Sequence, residues 1–372
     1  MIVTLGEETT AARSTGPGSV RWKLTVGELQ GLPQVSGGLV HLSLADGRLL
    51  ALEQDSGRSR WEVSAGRSVD QATTIHGGTV YHGLAGGDLL ALDAATGQAR
   101  WRVPTEVFVP WTQVADGAVH VYGMGSVVLA FDASSGEERW RLPVPRPPVW
   151  AGISAQDGIL YVPSNYGVVT AVDAATGAQR WTCTTGAPAG FAPTVRDGTV
   201  YVGARYGALR ALAGADGAER WQLKTLGGLW GAPAVSAGSL YVGGVGRKLV
   251  AVDAATGLRK WALRTGRWSG SGPLLHEGVL YFGTADGYLW AVDEDQNGWR
   301  LRTRSRLHGS PVAVDGRVYA VTVDGQLWSV EAATGRILWK LSTGRPPAHA
   351  PIVADDRVWL VTADHHLWSV QA

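Results

Sequence analysis

The chain has a single cysteine, Cys183, among 372 residues, which excludes a disulfide framework and any zinc site built from thiolates. It has no excess of either charge: 33 basic side chains stand against 32 acidic ones, for a formal charge of +1. Nucleic-acid binders carry a basic surplus, so nucleic acid is not an expected partner. Nowhere do uninterrupted apolar residues approach the roughly 18 that a membrane-spanning helix needs, so no membrane span is expected. Met1 to Ser19 holds Glu7 and Glu8 and lacks the apolar core of a secretion signal, which makes the cytoplasm the expected compartment. Reaction signatures are missing too: there is no Gly-x-Ser-x-Gly elbow, no His-Glu-x-x-His, no phosphate-binding P-loop and no kinase motif. Nor does any window of a dozen residues show helical periodicity.

What the chain has in abundance is glycine (51 residues) and tryptophan (17), and both recur on a period. Ala91-Leu-Asp-Ala-Ala-Thr-Gly-Gln-Ala-Arg-Trp101 returns as Ala171 to Trp181 and as Ala251 to Trp261. Degenerate copies end at Trp61, Trp140, Trp221 and Trp339, and the tail of one ends at Trp22. A damaged copy, Asp293-Glu-Asp-Gln-Asn-Gly298, runs straight into Trp299. Successive motif tryptophans lie 39, 40, 39, 41, 40, 40, 38 and 40 residues apart. A period near 40 that closes on tryptophan is the signature of propeller blades or a similar array.

Each period reads as four short strands. Thr199-Val-Tyr-Val202 is bounded by Asp197-Gly198 and Tyr206-Gly207, Ala208 to Leu212 follows, and the strand around Trp221 ends the repeat. First strands begin near Pro33, Thr73, Thr112, Ile153, Pro193, Pro233, Pro273, Pro311 and Pro351, which makes nine. The last copy stops at Val370-Gln-Ala372, before its tryptophan strand, and Ser19 to Val26 supplies only that strand. The expected fold is therefore an all-β, closed propeller of nine four-stranded blades, with eight as the alternative. Residues 1–18 form a tail, and 19–372 form one domain in which 19–27 pair with 346–372. Closure of this kind protects strand edges. Gly97, Gly136, Gly177, Gly257 and Gly335 suit the turn between third and fourth strands. The tryptophan four residues later would lie against the neighbouring blade, so the motif tryptophans read as structure and not as a binding site.

The pattern Ala-x-Asp-x-x-Thr-Gly-x-x-x-Trp, with its Asp-Gly-x-Val-Tyr-Val-Gly hairpins, resembles the pyrroloquinoline-quinone-like propeller repeat family over Ser19 to Ala372. That family includes quinoprotein alcohol dehydrogenases, the lipoprotein of the outer-membrane barrel-assembly machine and propellers fused to bacterial serine/threonine kinases. The resemblance implies the fold and leaves enzyme and scaffold both open. Many of the dehydrogenases stack their quinone under a ring formed by two adjacent cysteines. Here Cys183 stands alone within Arg180 to Thr185, so no cofactor is expected. A lipobox cysteine near the start is also missing. The run of Ala-Ala-Thr-Gly copies looks bacterial.

Repetition breaks just ahead of the first strands, where a propeller presents loops over its central channel. Those positions read Gln30, then Asp70 and Gln71, then Trp111, Trp150, Phe191, Trp230, Trp268, His308 and His349. Large aromatics run from Trp111 to Trp268, while His308, His349 and Asp70 become neighbours in a closed ring. An apolar pocket with a few converging polar groups suits a small molecule or a peptide, and its aromatics suit a planar or cationic one. The leading expectation is a non-catalytic sensor or interaction module binding at that pocket. A cofactor-free cyclase or isomerase is the rival, with His308, His349 or Asp70 moving protons. A protein-assembly scaffold whose channel is plugged by the same bulky side chains is the third reading.

Three further features carry alternatives. Asp293 to Gly298 starts like a calcium loop, but Arg304 stands where a bidentate glutamate belongs, so a degenerate turn is expected. Arg300, Arg302, Arg304 and Arg306 would share one face of a strand, either to dock an acidic partner or, the preferred reading, to discourage edge pairing. His365 and His366 replace the usual Asp-Gly of a hairpin turn and are expected in solvent.

Overall fold

The computed structural model describes residues 16–372 apart from 67, 110, 124, 145–151, 204–207, 225–228, 230, 237, 245–246 and 269–271; for 68–72 and 111 only the backbone is described. Among the described residues there are 36 strands and no helix. They form nine four-stranded antiparallel sheets, the blades of a β-propeller. Blades 1 to 8 are consecutive meanders over 34–64, 68–104, 111–143, 154–184, 194–224, 234–264, 274–302 and 312–342. Blade 9 joins the strands Ile352–Ala354, Arg357–Val361 and His366–Gln371 to Val20–Thr25 from the other end of the chain. The register sets Lys23 opposite Trp368 and Leu24 opposite Leu367, so the N-terminal strand supplies the fourth strand of the last blade.

Contacts group the chain into two compact units, 27–222 and 223–372 together with 1–26. The first carries blades 1 to 5 and the second blades 6 to 9.

Within each unit one device staples neighbouring blades. The glycine of a third-to-fourth-strand turn has positive φ, and its missing Cβ leaves room for the previous blade's tryptophan. A Cβ at Gly97 would sit 2.6 Å from the Trp61 ring, and at Gly217 it would sit 2.6 Å from Trp181. The indole N–H then donates to the same turn, Trp61 Nε1 to the Ala94 carbonyl at 2.9 Å and Trp181 Nε1 to Gly214 at 2.8 Å. Each turn is pre-set locally. Asp93 Oδ1 accepts from the Thr96 N–H and hydroxyl at 3.0 Å each, while Arg100 reaches Asp93 Oδ2 at 2.8 Å. Those bonds, the Arg100 one foremost, hold the Asp93 carboxyl down at about 2. At the seam of blade 9, Gly18 performs the turn glycine's task, lying over Trp339.

The second strands complete the staple. Tyr161, Tyr201 and Tyr241 tilt over Trp181, Trp221 and Trp261, each with ring centroids 5.9 Å apart. Blade 9 uses Trp359 against Trp22 at 5.4 Å. Blades 1 and 3 depart from this, with His41 against Trp61 and His120 against Trp140.

Two smaller expectations come out differently. The outer strand of blade 7 is Gly298–Arg302, so the arginine alternation leaves the sheet after Arg302. Arg304 and Arg306 lie in the following loop, because Arg304 takes φ 66 and turns the chain. At the blade 9 hairpin His365 is exposed with φ 63, whereas His366 begins a strand, is half-buried and sits 3.2 Å from Asp364. The damaged motif at Asp293 forms a turn closed by the Asn297 N–H on Asp293 Oδ1, and its Glu294 accepts from Ser239 of blade 6 at 2.6 Å.

Candidate functional site

The loops that carry the chain from an outer strand to the next inner strand share one construction. A threonine just past the outer strand is buried, and its hydroxyl lies between two carbonyls. Thr185 Oγ1 is 2.9 Å from Gly167 O and 3.2 Å from Ala187 O, and its N–H bonds the Gly167 carbonyl. Thr105 and Thr343 repeat the arrangement at Gly87 and Val107, and at Gly325 and Arg345. Further on, a residue bridges back to its own blade, as Leu29 to Leu44, Leu307 to Thr322 and Pro347 to Thr362. The loops entering blades 7, 8 and 9 carry both latches, Thr265 with Trp268, Thr303 with Leu307 and Thr343 with Pro347, and what varies is the side chains they hold outward.

The residues singled out by sequence fall at different depths. Gln30 is half-buried, and its N–H donates to the Ser43 carbonyl at 2.8 Å. Phe191 is buried. Asp70 and Gln71 lie within the strand Ser68–His76, and Trp111 opens the strand Trp111–Ala115. The side chains of these three, and Trp150 and Trp230 entirely, lie outside the described residues. Trp268 occupies the bridging position of blade 7, paired with Thr284. Its ring is buried and stacks on Phe282 at 4.7 Å, and Phe282 stacks in turn on Trp290 at 6.0 Å. Gly243 of blade 6 lies directly against it. His308 donates its backbone N–H to Val321, and its Nε2 lies 3.1 Å from the Ala348 carbonyl, the residue before His349. The loops of His308 and His349 are therefore adjacent. Asp70 and Gln71 belong to the other compact unit.

Sequence reading missed the buried histidines. His41, His82 and His120 are at most 3% exposed. Among the described residues both ring nitrogens of His41 and His120 lack a hydrogen-bond partner, as does Nε2 of His82, whose Nδ1 pairs with Thr73 Oγ1 at 2.7 Å. Burial lowers all three pKa values to about 4, so the rings are neutral at pH 7. His41 and His82 hold the positions of Tyr161 and Val202, two members of one interblade cluster, so both line the interface of blades 1 and 2. Aligning the repeats would have found two of them, because Val40-His41 and Val119-His120 stand where most other copies read Val-Tyr or Leu-Tyr.

A cleft of about 330 Å³ opens at the opposite end of blades 8 and 9, lined by Asp315, Arg317, Tyr319, Asp355, Asp356 and Gln371 among others. Among the described residues no group of three or more His, Cys, Asp or Glu could hold a metal ion, and no helix is long and apolar enough to cross a membrane.

The sequence profile of the family described as outer membrane protein assembly factor BamB matches residues 1–107, 124–229, 207–298 and 296–372. No curated protein matches the chain in sequence. Among solved structures, BamB from Moraxella catarrhalis superposes with a TM-score of 0.60 at 19% identity, covering 94% of this chain and 98% of that one. The computationally designed Ika8 protein gives 0.63 at 17% identity over 81% and 96% of the two chains. A quinohemoprotein alcohol dehydrogenase from Pseudomonas putida gives 0.60 at 16% identity over 96% and 76%. Identities this low show a shared fold alone.

Proposed function

From the premise that the chain belongs to the family of outer membrane protein assembly factor BamB, we propose that it is an interaction module that holds a segment of another protein on the loops between its blades. The observation that carries this reading is the latching of those loops. In the loops entering blades 7, 8 and 9, buried threonines at Thr265, Thr303 and Thr343 fix one end and backbone bridges at Trp268, Leu307 and Pro347 fix the other, so the exposed side chains between are held ready. A surface already in its bound form loses little conformational entropy on docking. Leu32, half exposed on the loop into blade 1, and the charged residues of these loops give it mixed chemistry.

The test is selection of short peptides from a random library displayed on phage, with the purified protein as bait. Convergence on a motif, with binding weakened by substitution of exposed loop residues such as Leu32→Ala, supports a module. A library that never converges, together with tryptophan quenching by a metabolite extract that Trp230→Ala abolishes, would move the reading to a small-molecule ligand. Turnover lost in His308→Ala would move it to an enzyme.

A further inference from the structure

Glycine is the residue that most blades place at two left-handed positions of these loops. In the turn between second and third strands it stands at Gly47, Gly87, Gly167, Gly287 and Gly325, all with positive φ. The blade 6 equivalent is Arg247, with φ 63, and Thr265 bonds its carbonyl as Thr185 bonds that of Gly167. Just past the end of the outer strand, Gly66 follows Ala65, while Gly186, Gly266 and Gly344 follow the threonine; all four have positive φ, and the blade 7 equivalent is Arg304, with φ 66. An arginine in this region is disfavoured by its own Cβ. Other departures are Glu106, Ser126 and His365, so what sets blades 6 and 7 apart is that both departures are arginines, placing two guanidinium groups at one rim.

More positive charge gathers around them. Lys248 lies directly opposite Arg264 in the blade 6 register, a cross-strand pairing of like charges that works against the sheet. At the same place Arg48 faces Ser64, Asp88 faces Pro104 and Val168 faces Thr184. Arg267, Arg302 and Arg306 complete the set. Backbone bonds from Ala285 to Arg267, from Thr303 to Gly287 and from Val323 to Arg306 run the rim on from blade 6 through 7 to 8. Six of the seven cations are exposed, Lys248 being partly covered, and among the described residues none is in an ion pair.

We propose that this rim of blades 6 to 8, centred on Arg247, Arg264, Arg267, Arg304 and Arg306, docks an acidic stretch of a partner protein. The inference rests on the interaction-module reading and gives that module a surface and a partner chemistry. Six of the seven cations are arginines, whose planar fork grips a carboxylate through two parallel hydrogen bonds. A protein strand fits better than nucleic acid. Asp286 and Asp324 stand in the loops between the arginines, where they would repel a continuous phosphate backbone but leave gaps between separate carboxylates. The chain's net charge of +1 points the same way.

Fluorescence anisotropy of a short labelled peptide of alternating glutamate and serine tests this, at about 50 mM salt where screening is modest. The peptide is expected to bind and to lose affinity about tenfold or more in R247E/R264E/R304E. It should change less than about twofold in R58E/R60E/R196E, which makes the same charge change in the other unit. A second variant, R247G/R304G, removes two charges using the residue that neighbouring blades carry there, so folding is not at stake, and about threefold weaker binding is expected. Absence of peptide binding, equal loss in the two triple variants, or tighter binding of single-stranded DNA than of the peptide would each overturn the proposal. A library motif without acidic residues would sink this surface and leave the module intact.

Discussion

In the unit of residues 27–222, two of five blades put a histidine where blades 6 to 9 put tyrosine or tryptophan against the stapling indole. A third histidine, His82, is buried in the same unit. The contrast runs the other way at the surface. In 27–222 the rim charges are neutralised, Arg48 by Asp46 and Glu62, Arg102 by Asp88, and Arg141 by Glu138 and Glu106. In 223–372, among the described residues, Arg247, Arg264, Arg267, Arg302, Arg304 and Arg306 stand outside any ion pair. One unit thus carries its titratable groups inside and a balanced surface, and the other carries an apolar, aromatic interior and an unbalanced rim. The two are vulnerable to different things, acid for the first and added salt or lost charge for the second.

The largest expected effect is acid unfolding of the first unit. An unfolded histidine titrates near 6.5, whereas folded His41, His82 and His120 titrate at about 4. Between those values the unfolded chain binds more protons, so stability is full above pH 6.5 and falls as pH drops towards 4. Each ring contributes on the order of 3 kcal/mol to that fall, which together rivals the stability of a whole domain. Burial is the first cause for all three; at His120 the Ala115 backbone and then the Asp116 charge oppose the shift, and Arg139 adds to it. Denaturant melts at about pH 7.5 and about pH 4.5 should show 27–222 giving way first in acid. H41Y/H120Y, which restores the tyrosine of the other blades, should remove much of the difference. An unchanged acid shift in that variant would mean that other groups drive it.

The staple sharpens the comparison. Trp181 is buried and its indole N–H is bonded to Gly214, whereas Trp339 Nε1 has no partner among the described residues. Truncating Trp181 to alanine should cost about 3–5 kcal/mol by the usual penalty for a buried aromatic. Replacing it by phenylalanine isolates the hydrogen bond and should cost about 1–2 kcal/mol beyond the same change at Trp339. Equal costs in chemical denaturation at the two sites would show that the bond adds nothing to ring packing.

How much of this could be read in the sequence depends on whether a residue repeats. Asp-Gly turns, alternating strands and the tryptophan period recur in nearly every copy, so blade number was legible from the nine first strands and the split last blade from Trp22 and Val370. The loops were not legible, because counting back from the strand assumes equal loop lengths. Trp268 to Thr284 spans one residue more than Leu307 to Thr322, which puts Trp268 at the bridging position and turns its ring into the Phe282 stack. The histidines were missed for the opposite reason. A polar residue in an alternating strand reads as exposed, and only its place in the repeat shows that it fills a tyrosine's slot.

A smaller effect concerns cations laid over tryptophans in the second unit. Lys23 sits 4.5 Å from the Trp368 ring centroid and Lys340 sits 5.7 Å from that of Trp328. Replacement of either lysine by methionine keeps the covering chain and removes the charge, for an expected loss of about 0.5–1 kcal/mol. The shorter contact should lose more, and a melt that ranks K340M above K23M would contradict an electrostatic origin.

The smallest shift in stability is the most informative about the rim. Arg304→Gly relieves a left-handed backbone that costs arginine about 1 kcal/mol, while glycine gives back part of that through its freer unfolded chain. The net expectation is a gain of a few tenths of a kcal/mol to about 1 kcal/mol, with weaker binding of the acidic peptide. A stabilised protein that binds less well is the pattern expected where side-chain chemistry has been kept against backbone preference. If Arg304→Gly instead destabilises the fold with peptide affinity unchanged, the arginine serves blade 7 itself, and the difference between the two rims is one of packing and not of partner.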